Sequence, residues 1–134
     1  MSEPSSLSRL LLVACSENFC KTLRRILSRC GYEVDCARSG EDALGSLQRG
    51  SYDAIICEVH LPGQMCGISL MEQIRAAGYE VPVIFLTENE TARIRAALDA
   101  WSGVACLQMP LDVDQLKALV ASRCAPSAAE RRAH

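Results

Sequence analysis

Glu58 is the side chain whose position in this 134-residue sequence points most clearly to chemistry. It follows the apolar run from Ala54 to Cys57 and precedes a Pro62-Gly63 turn, which predicts that it lies at the carboxyl end of a buried strand. In open α/β proteins, ligands bind in the crevice outside the carboxyl ends of the strands. A carboxylate there could bind a metal ion or accept a transferred group.

The cysteines are the second group of residues that could do chemistry. Thiolate and imidazole both bind Zn²⁺, so Cys15, Cys66 and Cys106 could form a redox or metal centre with His60. Their spacing matches no zinc pattern, and no CxxC pair occurs. The sequence therefore favours free thiols that act as small buried hydrophobes. The eight cysteines are Cys15, Cys20, Cys30, Cys36, Cys57, Cys66, Cys106 and Cys124.

Five strands, each followed by a helix, are predicted to position these groups. Apolar runs predict strands at 9–13, 32–37, 54–57, 81–87 and 104–107. The helices have candidate caps in Ser16, Ser39 and Asp112, and the fourth is predicted over 89–101. Strands without polar alternation indicate a parallel sheet covered on both faces. The predicted fold is α/β, a single (βα)5 doubly wound parallel sheet of flavodoxin-like strand order 2-1-3-4-5.

Charge and hydropathy exclude several function classes. A net charge of −2 gives no electrostatic case for binding nucleic acid or an anionic membrane. No apolar run approaches the roughly 20 residues that span a bilayer. The first residues lack the basic segment of a signal peptide, which predicts a cytoplasmic protein. The predicted organisation is a flexible tail at 1–8, one domain at 9–123 and a flexible tail at 124–134.

Six short motifs occur along this domain in a definite order and spacing. They are Leu11-Leu-Val13, Gly31-Tyr-Glu-Val34, Ser39-Gly-Glu-Asp-Ala-Leu44, Leu61-Pro-Gly63, Val81-Pro-Val-Ile-Phe-Leu-Thr87 and Met109-Pro110. Together they resemble the receiver domains of bacterial two-component response regulators. The resemblance covers residues 9–123 and implies the strand order given above. In that family, a histidine kinase donates a phosphoryl group to an Asp at the end of strand 3, beside Mg²⁺ and a lysine.

The family's reactive positions are mostly replaced in this sequence. Glu58 stands at the phosphoacceptor position, Ala14 and Cys15 at the acidic Mg²⁺ positions, and Met109 at the lysine position. One carboxylate is a poor Mg²⁺ site, and a transferred phosphoryl group would meet almost no positive charge. The resemblance therefore implies a degenerate pseudo-receiver that has no cofactor, binds no metal and is not an enzyme.

Two of the remaining site residues have alternative interpretations. Glu58 could mimic a phosphorylated Asp, but a leftover solvated acid is favoured because Glu carries less charge than a phosphoryl group. Thr87 matches the family's switch residue. Its hydroxyl is predicted either to bond Glu58 or to cap the next helix.

The predicted function is that of a stand-alone atypical receiver that acts by protein–protein contact, without phosphorylation. Its expected partners are a histidine kinase or a signalling target, or a second copy bound through helix 4, strand 5 and helix 5. The residues of this face are Trp101, Cys106, Leu111 and Lys117. Trp101 is interpreted as an interface anchor or, preferably, as a ring folded over the core edge. The alternatives are a phosphoacceptor that uses Glu58 and a cysteine-based redox or metal sensor.

Overall fold

The computed structural model describes residues 8–124, without the side chain of residue 93. All four strand pairings are parallel, and the sheet has the order β2-β1-β3-β4-β5. The predicted fold and strand order are therefore confirmed. The strands are β1 (Arg9–Val13), β2 (Glu33–Ala37), β3 (Ala54–Glu58), β4 (Val83–Thr87) and β5 (Val104–Gln108). The helices are α1 (Glu17–Arg29), α2 (Gly40–Arg49), α3 (Gly67–Ala76), α4 (Ala92–Asp99) and α5 (Val113–Cys124).

Two apolar clusters cover the two faces of the sheet. Leu10 and Leu12 of β1 join the cluster under α1 and α5, whereas Leu11 and Val13 join the cluster under α2 and α3. This alternation follows from the two-residue period of a strand, which sends neighbouring side chains to opposite faces. Each fully buried aliphatic side chain stabilises the fold by about 1.5–3 kcal/mol. A central strand therefore needs apolar residues at every position.

Helix boundaries agree with the sequence wherever a cap was recognised. The Ser16 hydroxyl accepts the Phe19 N–H at 3.2 Å, and the Ser39 hydroxyl accepts the Asp42 N–H at 3.1 Å. An Asp112 carboxylate oxygen accepts a backbone N–H in the same way at the start of α5. These bonds satisfy N–H groups that have no partner within the helix.

Both bounds of the fourth helix and the start of the C-terminal tail were predicted wrongly, and β2 and β4 begin later than predicted, at Glu33 and Val83. The fourth helix was predicted over 89–101 but begins at Ala92, because the Thr91 hydroxyl accepts the Ile94 N–H and caps it there. It ends at Asp99, before Trp101. Cys124 was assigned to the tail but is the last residue of α5, where it is buried. Apart from Ser8 and Cys124, the predicted tails lie outside the described residues.

Arg9 fixes the end of the sheet at which the strands begin, here called the amino end. Its guanidinium donates to the Asp35 carboxylate at 2.8 Å and lies 4.9 Å from the centroid of the Tyr52 ring. The Tyr52 hydroxyl donates to the same carboxylate at 2.7 Å, and the Arg9 N–H donates to Asp53 at 2.7 Å. These contacts tie together β1, β2 and the segment before β3.

The described helices do not include a membrane span. Between residues 8 and 124, no helix is both long enough and apolar enough to cross a bilayer.

Candidate functional site

Glu58 is the last residue of β3 and is half-buried at the opposite edge, here called the carboxyl end of the sheet. Its Oε1 atom accepts the backbone N–H of Cys15 at 3.0 Å. The side chain is brought there because β3 pairs with β1, with Cys57 opposite Val13. The predicted position of Glu58 at the end of β3, beside the end of β1, is therefore observed.

The end of β1 supplies backbone rather than side-chain polarity. Ala14 is fully buried, and its N–H donates to the carbonyl of Ala37 at 3.0 Å. Cys15 is exposed and bonds to Glu58 through its N–H only. Glu17, the nearest other acid in sequence, lies in the first turn of α1 and pairs with Lys21 at 3.5 Å.

Thr87 is 2% exposed at the end of β4. Its hydroxyl donates to the Asn89 carbonyl at 3.1 Å and accepts the Asn89 N–H at 3.3 Å. Neither predicted partner is the one found: the hydroxyl closes a local turn, and Thr91 caps α4 instead. The turn uses both the donor and an acceptor site of the hydroxyl.

Met109 takes the position after β5. Its N–H donates to the Thr87 carbonyl at 2.7 Å, and its side chain packs against the α1/α5 cluster while remaining half-buried. The peptide bond to Pro110 is cis. The apolar thioether supplies no cation at this position.

Arg38 is a cation at the carboxyl end that the sequence analysis missed. It follows β2 directly, and its Nε donates to the Cys15 carbonyl at 3.1 Å. The sequence could have indicated Arg38 by its position directly after a predicted strand, because the carboxyl ends of parallel strands share one edge of the sheet. The statement that this edge has almost no positive charge is therefore wrong, although the contact of Arg38 is with backbone and not with Glu58.

The residues at this edge do not fit a Mg²⁺ ion. Mg²⁺ needs near-octahedral oxygen coordination, commonly with one or two carboxylates. Among residues 8–124, no three His, Cys, Asp or Glu side chains lie close enough together to hold a metal. The single carboxylate of Glu58 already accepts the Cys15 N–H.

Comparison with known proteins identifies the family of this chain. The family model for the response regulator receiver domain matches residues 10–121. The chain belongs to that family. The transcriptional regulatory protein DltR of Streptococcus agalactiae is 37% identical over 79 residues, which are 59% of this chain and 35% of that protein. ZraR of Salmonella typhimurium, another transcriptional regulatory protein, is 30% identical over 110 residues, which are 81% of this chain and 24% of that protein.

Solved structures have the same fold. A two-component response regulator from Clostridium difficile superposes with a TM-score of 0.79 at 24% identity, covering 86% of this chain and 93% of that one. The signal receiver domain of an HD domain-containing protein from Pseudomonas fluorescens Pf-5 reaches 0.80 at 26% identity, covering 87% and 94%. The chain spans about a third or less of the curated relatives DltR and ZraR, so it matches only part of each.

The sequence left a centre of Cys15, Cys66, Cys106 and His60 as the less favoured alternative to free thiols. Cys66 and His60 line one groove of about 610 Å³ between the start of α3 and the start of α4. Cys15, which follows β1, and Cys106, in the middle of β5, are not part of its lining. The groove therefore brings together only two of the four residues of that alternative.

Cys66 and Cys57 differ in acidity although they lie close together. Burial raises the pKa of Cys66, but hydrogen bonds from Ser69 and from the first N–H groups of α3 outweigh it and lower the pKa overall. Burial, followed by the charge of Glu58, raises the pKa of Cys57. Cys66 is therefore the more acidic thiol of the two.

The four residues of the predicted partner face are all half-buried in the receiver domain. Trp101 packs against the α2/α3 cluster and lines a surface cavity with Arg75. Cys106 packs on the same cluster, whereas Leu111 packs on the other one. Trp101 thus has the folded-over position that the sequence analysis preferred.

Proposed function

We propose that this receiver domain acts in two-component signalling through protein contacts and is not switched by Mg²⁺-dependent phosphorylation. One observation carries the proposal. Of the five positions that match the family's reactive residues, only Glu58 bears a carboxylate, and its Oε1 accepts the Cys15 N–H at 3.0 Å. Ala14 and Met109 occupy two of the other positions with apolar side chains.

Charge balance is the physical reason. Phosphoryl transfer depends on positioning and on neutralising the charge of the transferred group. Without an acidic pair there is no Mg²⁺ to do this, and without a lysine there is no second cation. Arg38 is the nearest substitute, but its Nε donates to the Cys15 carbonyl. A Glu acceptor is also one methylene longer than Asp, which displaces the in-line geometry.

Protein partners follow from family membership. We propose a histidine kinase or a signalling target, with α4, β5 and α5 as the contact face and with a homodimer through the same face as an option. Trp101, Cys106, Leu111 and Lys117 remain the proposed face residues. The net charge of −2 favours proteins over nucleic acid as partners. The predictions that the domain acts alone and in the cytoplasm stay predictions.

The test is labelling by a small phosphodonor in Mg²⁺ buffer, measured by intact mass. We expect no gain of a phosphoryl group, about 80 Da, on the unmodified chain, since the positions that would supply Mg²⁺ and a lysine to offset its two negative charges are replaced. A phosphorylated species that disappears in Glu58→Gln would contradict the proposal and support Glu58 as the acceptor.

A restored variant is the matched control. It combines Ala14→Asp, Cys15→Asp, Glu58→Asp and Met109→Lys, which returns every missing group to its matching position. We expect this variant to be labelled under the same conditions. If it folds, as judged by circular dichroism, yet stays unlabelled, the assignment of these positions is wrong.

A further inference from the structure

Two thiols, those of Cys20 and Cys36, line the same surface cavity near the carboxyl end of the sheet. Cys20 of α1 is 4% exposed and belongs to the α1/α5 cluster, and half-buried Cys36 of β2 packs against the same cluster. Cys36 is opposite Leu12 of β1 and lies on an edge strand, so solvent reaches it from the side. Burial, followed by the charge of Cys36, raises the pKa of Cys20 to about 11, as expected for two neighbouring thiols.

A small cavity of about 160 Å³ opens onto both thiols. Its lining carries three cationic side chains and one carboxylate, that of Glu17, which pairs with Lys21 at 3.5 Å, so the two arginines leave it with a net positive charge. The opening therefore attracts anions. Its lining residues are Glu17, Cys20, Lys21, Arg24, Cys36 and Arg38.

We propose that Cys20 and Cys36 are a dithiol pair that an anionic low-molecular-weight disulfide, such as oxidised glutathione, converts to an intramolecular disulfide. The proposal goes beyond the function proposed above and does not rest on it. The pair also differs from the centre predicted from Cys15, Cys66 and Cys106.

The exchange takes two steps that balance. The half-exposed Cys36 loses its proton and attacks one sulfur of the glutathione disulfide, whose S–S bond breaks and releases one glutathione thiol. Cys20 then loses its proton and attacks the Cys36 sulfur of the mixed disulfide, which releases the second glutathione thiol. Two protein thiols are oxidised, one external disulfide is reduced to two thiols, and the two protons end on glutathione.

The order of attack follows from the burial of the two thiols. Cys20 is shielded and keeps its proton at neutral pH, since its pKa is about 11. Once Cys36 is part of a mixed disulfide, its charge no longer opposes ionisation of Cys20. Cys36 is therefore the attacking thiol and Cys20 the resolving thiol.

Oxidation of the pair would change the hydrogen bonding of the segment that holds Glu58. The Cys20 thiol donates to the Ala14 carbonyl at 3.4 Å, and the next residue, Cys15, holds Glu58 by its N–H and Arg38 by its carbonyl. A disulfide has no S–H, so the Ala14 carbonyl loses this donor. The pair therefore connects the redox state of α1 and β2 to the segment that positions Glu58.

Peptide mapping tests the pairing directly. Trypsin leaves Cys15 on the same peptide as Cys20 and Cys30 on the same peptide as Cys36, so the experiment uses a Cys15→Ser/Cys30→Ser background. Both replaced residues are exposed. This variant, in its folded state, is treated with oxidised glutathione, and its free thiols are then alkylated. The tryptic digest is analysed by mass spectrometry with and without reductant.

We expect the peptide of residues 10–21 linked to the peptide of residues 30–38 as the main oxidised product. Adding Cys36→Ser to this background should abolish the link. Adding Cys20→Ala should leave glutathione attached to Cys36. Adding Cys57→Ala, as a control, should leave the link unchanged. The proposal is overturned if Cys20 and Cys36 stay free or carry separate glutathione adducts while the fold is intact. It is also overturned if the link forms equally well in urea, because the fold would then not direct it.

Discussion

The two ends of the sheet differ in how their polar groups are used. At the amino end, the Arg9 guanidinium bonds Asp35, and the Tyr52 hydroxyl shares that carboxylate, so several groups satisfy one another across β1, β2 and the segment before β3. At the carboxyl end, the Glu58 carboxylate accepts one N–H from Cys15, and the Thr87 hydroxyl bonds within its own turn.

The difference separates the needs of the fold from those of chemistry. Contacts at the amino end include bonds between side chains of distant segments, since Arg9 and Tyr52 both donate to Asp35, and these help hold the strands in register. At the carboxyl end, the hydrogen bonds of Glu58, Thr87 and Arg38 all have a backbone partner. Since the amino end supplies the polar cross-links, the carboxyl end can carry apolar residues at reactive positions without loss of the sheet.

The largest effect is expected for Gly67→Ala at the carboxyl end. A Cβ atom on Gly67 would lie 2.5 Å from the Glu58 carbonyl oxygen and 2.9 Å from the Val59 Cα, both backbone atoms that cannot move aside cheaply. We expect the free energy of unfolding, measured with urea, to fall by about 2–3 kcal/mol.

Gly45→Ala is the control for this change. The nearest atom to its Cβ is the flexible Arg49 Nη1 at 3.3 Å, so we expect no loss and a gain of up to about 1 kcal/mol from helix preference. Equal stabilities of the two variants would show that the close approach of α3 to β3 is not needed.

Alkaline pH should lower the free energy of unfolding through buried thiols at both ends of the sheet. Burial, followed by the charge of Asp53, raises the pKa of Cys124 to about 12, from an ordinary value of 9.0. Because the folded state keeps this proton while the unfolded chain loses it, stability is complete below pH 9.0 and falls as the pH rises toward the folded pKa. We expect a loss of about 1 kcal/mol between about pH 8 and about pH 10 from this thiol.

Urea unfolding in reductant at both pH values measures that loss. Cys124→Ala should show a smaller decrease than the unchanged protein. Cys57, whose pKa is also raised by burial and by Glu58, should keep part of the pH dependence in that variant. An identical decrease with and without Cys124 would contradict the assignment.

Tyr52→Phe tests the amino end and should have a smaller effect. It removes the 2.7 Å bond to Asp35 while keeping the ring under the Arg9 guanidinium. We expect a loss of about 1 kcal/mol in thermal or urea unfolding. Tyr79→Phe is the matched control, because its hydroxyl makes a longer, 3.3 Å bond to the neutral Leu47 carbonyl. A larger loss from the control would mean that the amino-end network is not a main cross-link.

The smallest effect is expected for Glu58→Gln. The amide oxygen can still accept the Cys15 N–H, so only the charge is lost. Stability and binding to a partner of the α4–β5–α5 face should each change by less than about 0.5 kcal/mol. Calorimetric titration measures the binding. A tenfold weakening, about 1.4 kcal/mol, would favour the interpretation of Glu58 as a phosphoryl mimic.

Sequence patterns determined the elements and their order. Uninterrupted apolar runs marked β1 and β3 as buried on both faces, and Ser16, Ser39 and Asp112 marked helix starts, because periodicity and capping act between residues close in the chain. The apolar run before Glu58 placed it at the end of β3, and the family motifs matched that position to the phosphoacceptor. The start of the fourth helix was predicted wrongly. Its cap is Thr91, which lies closer to the apolar residues of the helix than residue 89, the predicted start.

Only the tertiary structure decided which side chains meet. Arg38 reaches the Cys15 carbonyl, and Cys20 and Cys36 share a cavity, because β2 pairs with β1 and α1 covers their common face. The sequence offered a centre of Cys15, Cys66 and Cys106 only as an alternative to free thiols, and it did not single out Cys20 with Cys36. Such contacts depend on register, on side-chain direction and on which face of the sheet each helix covers. These are set by packing between distant segments and leave no local pattern in the sequence.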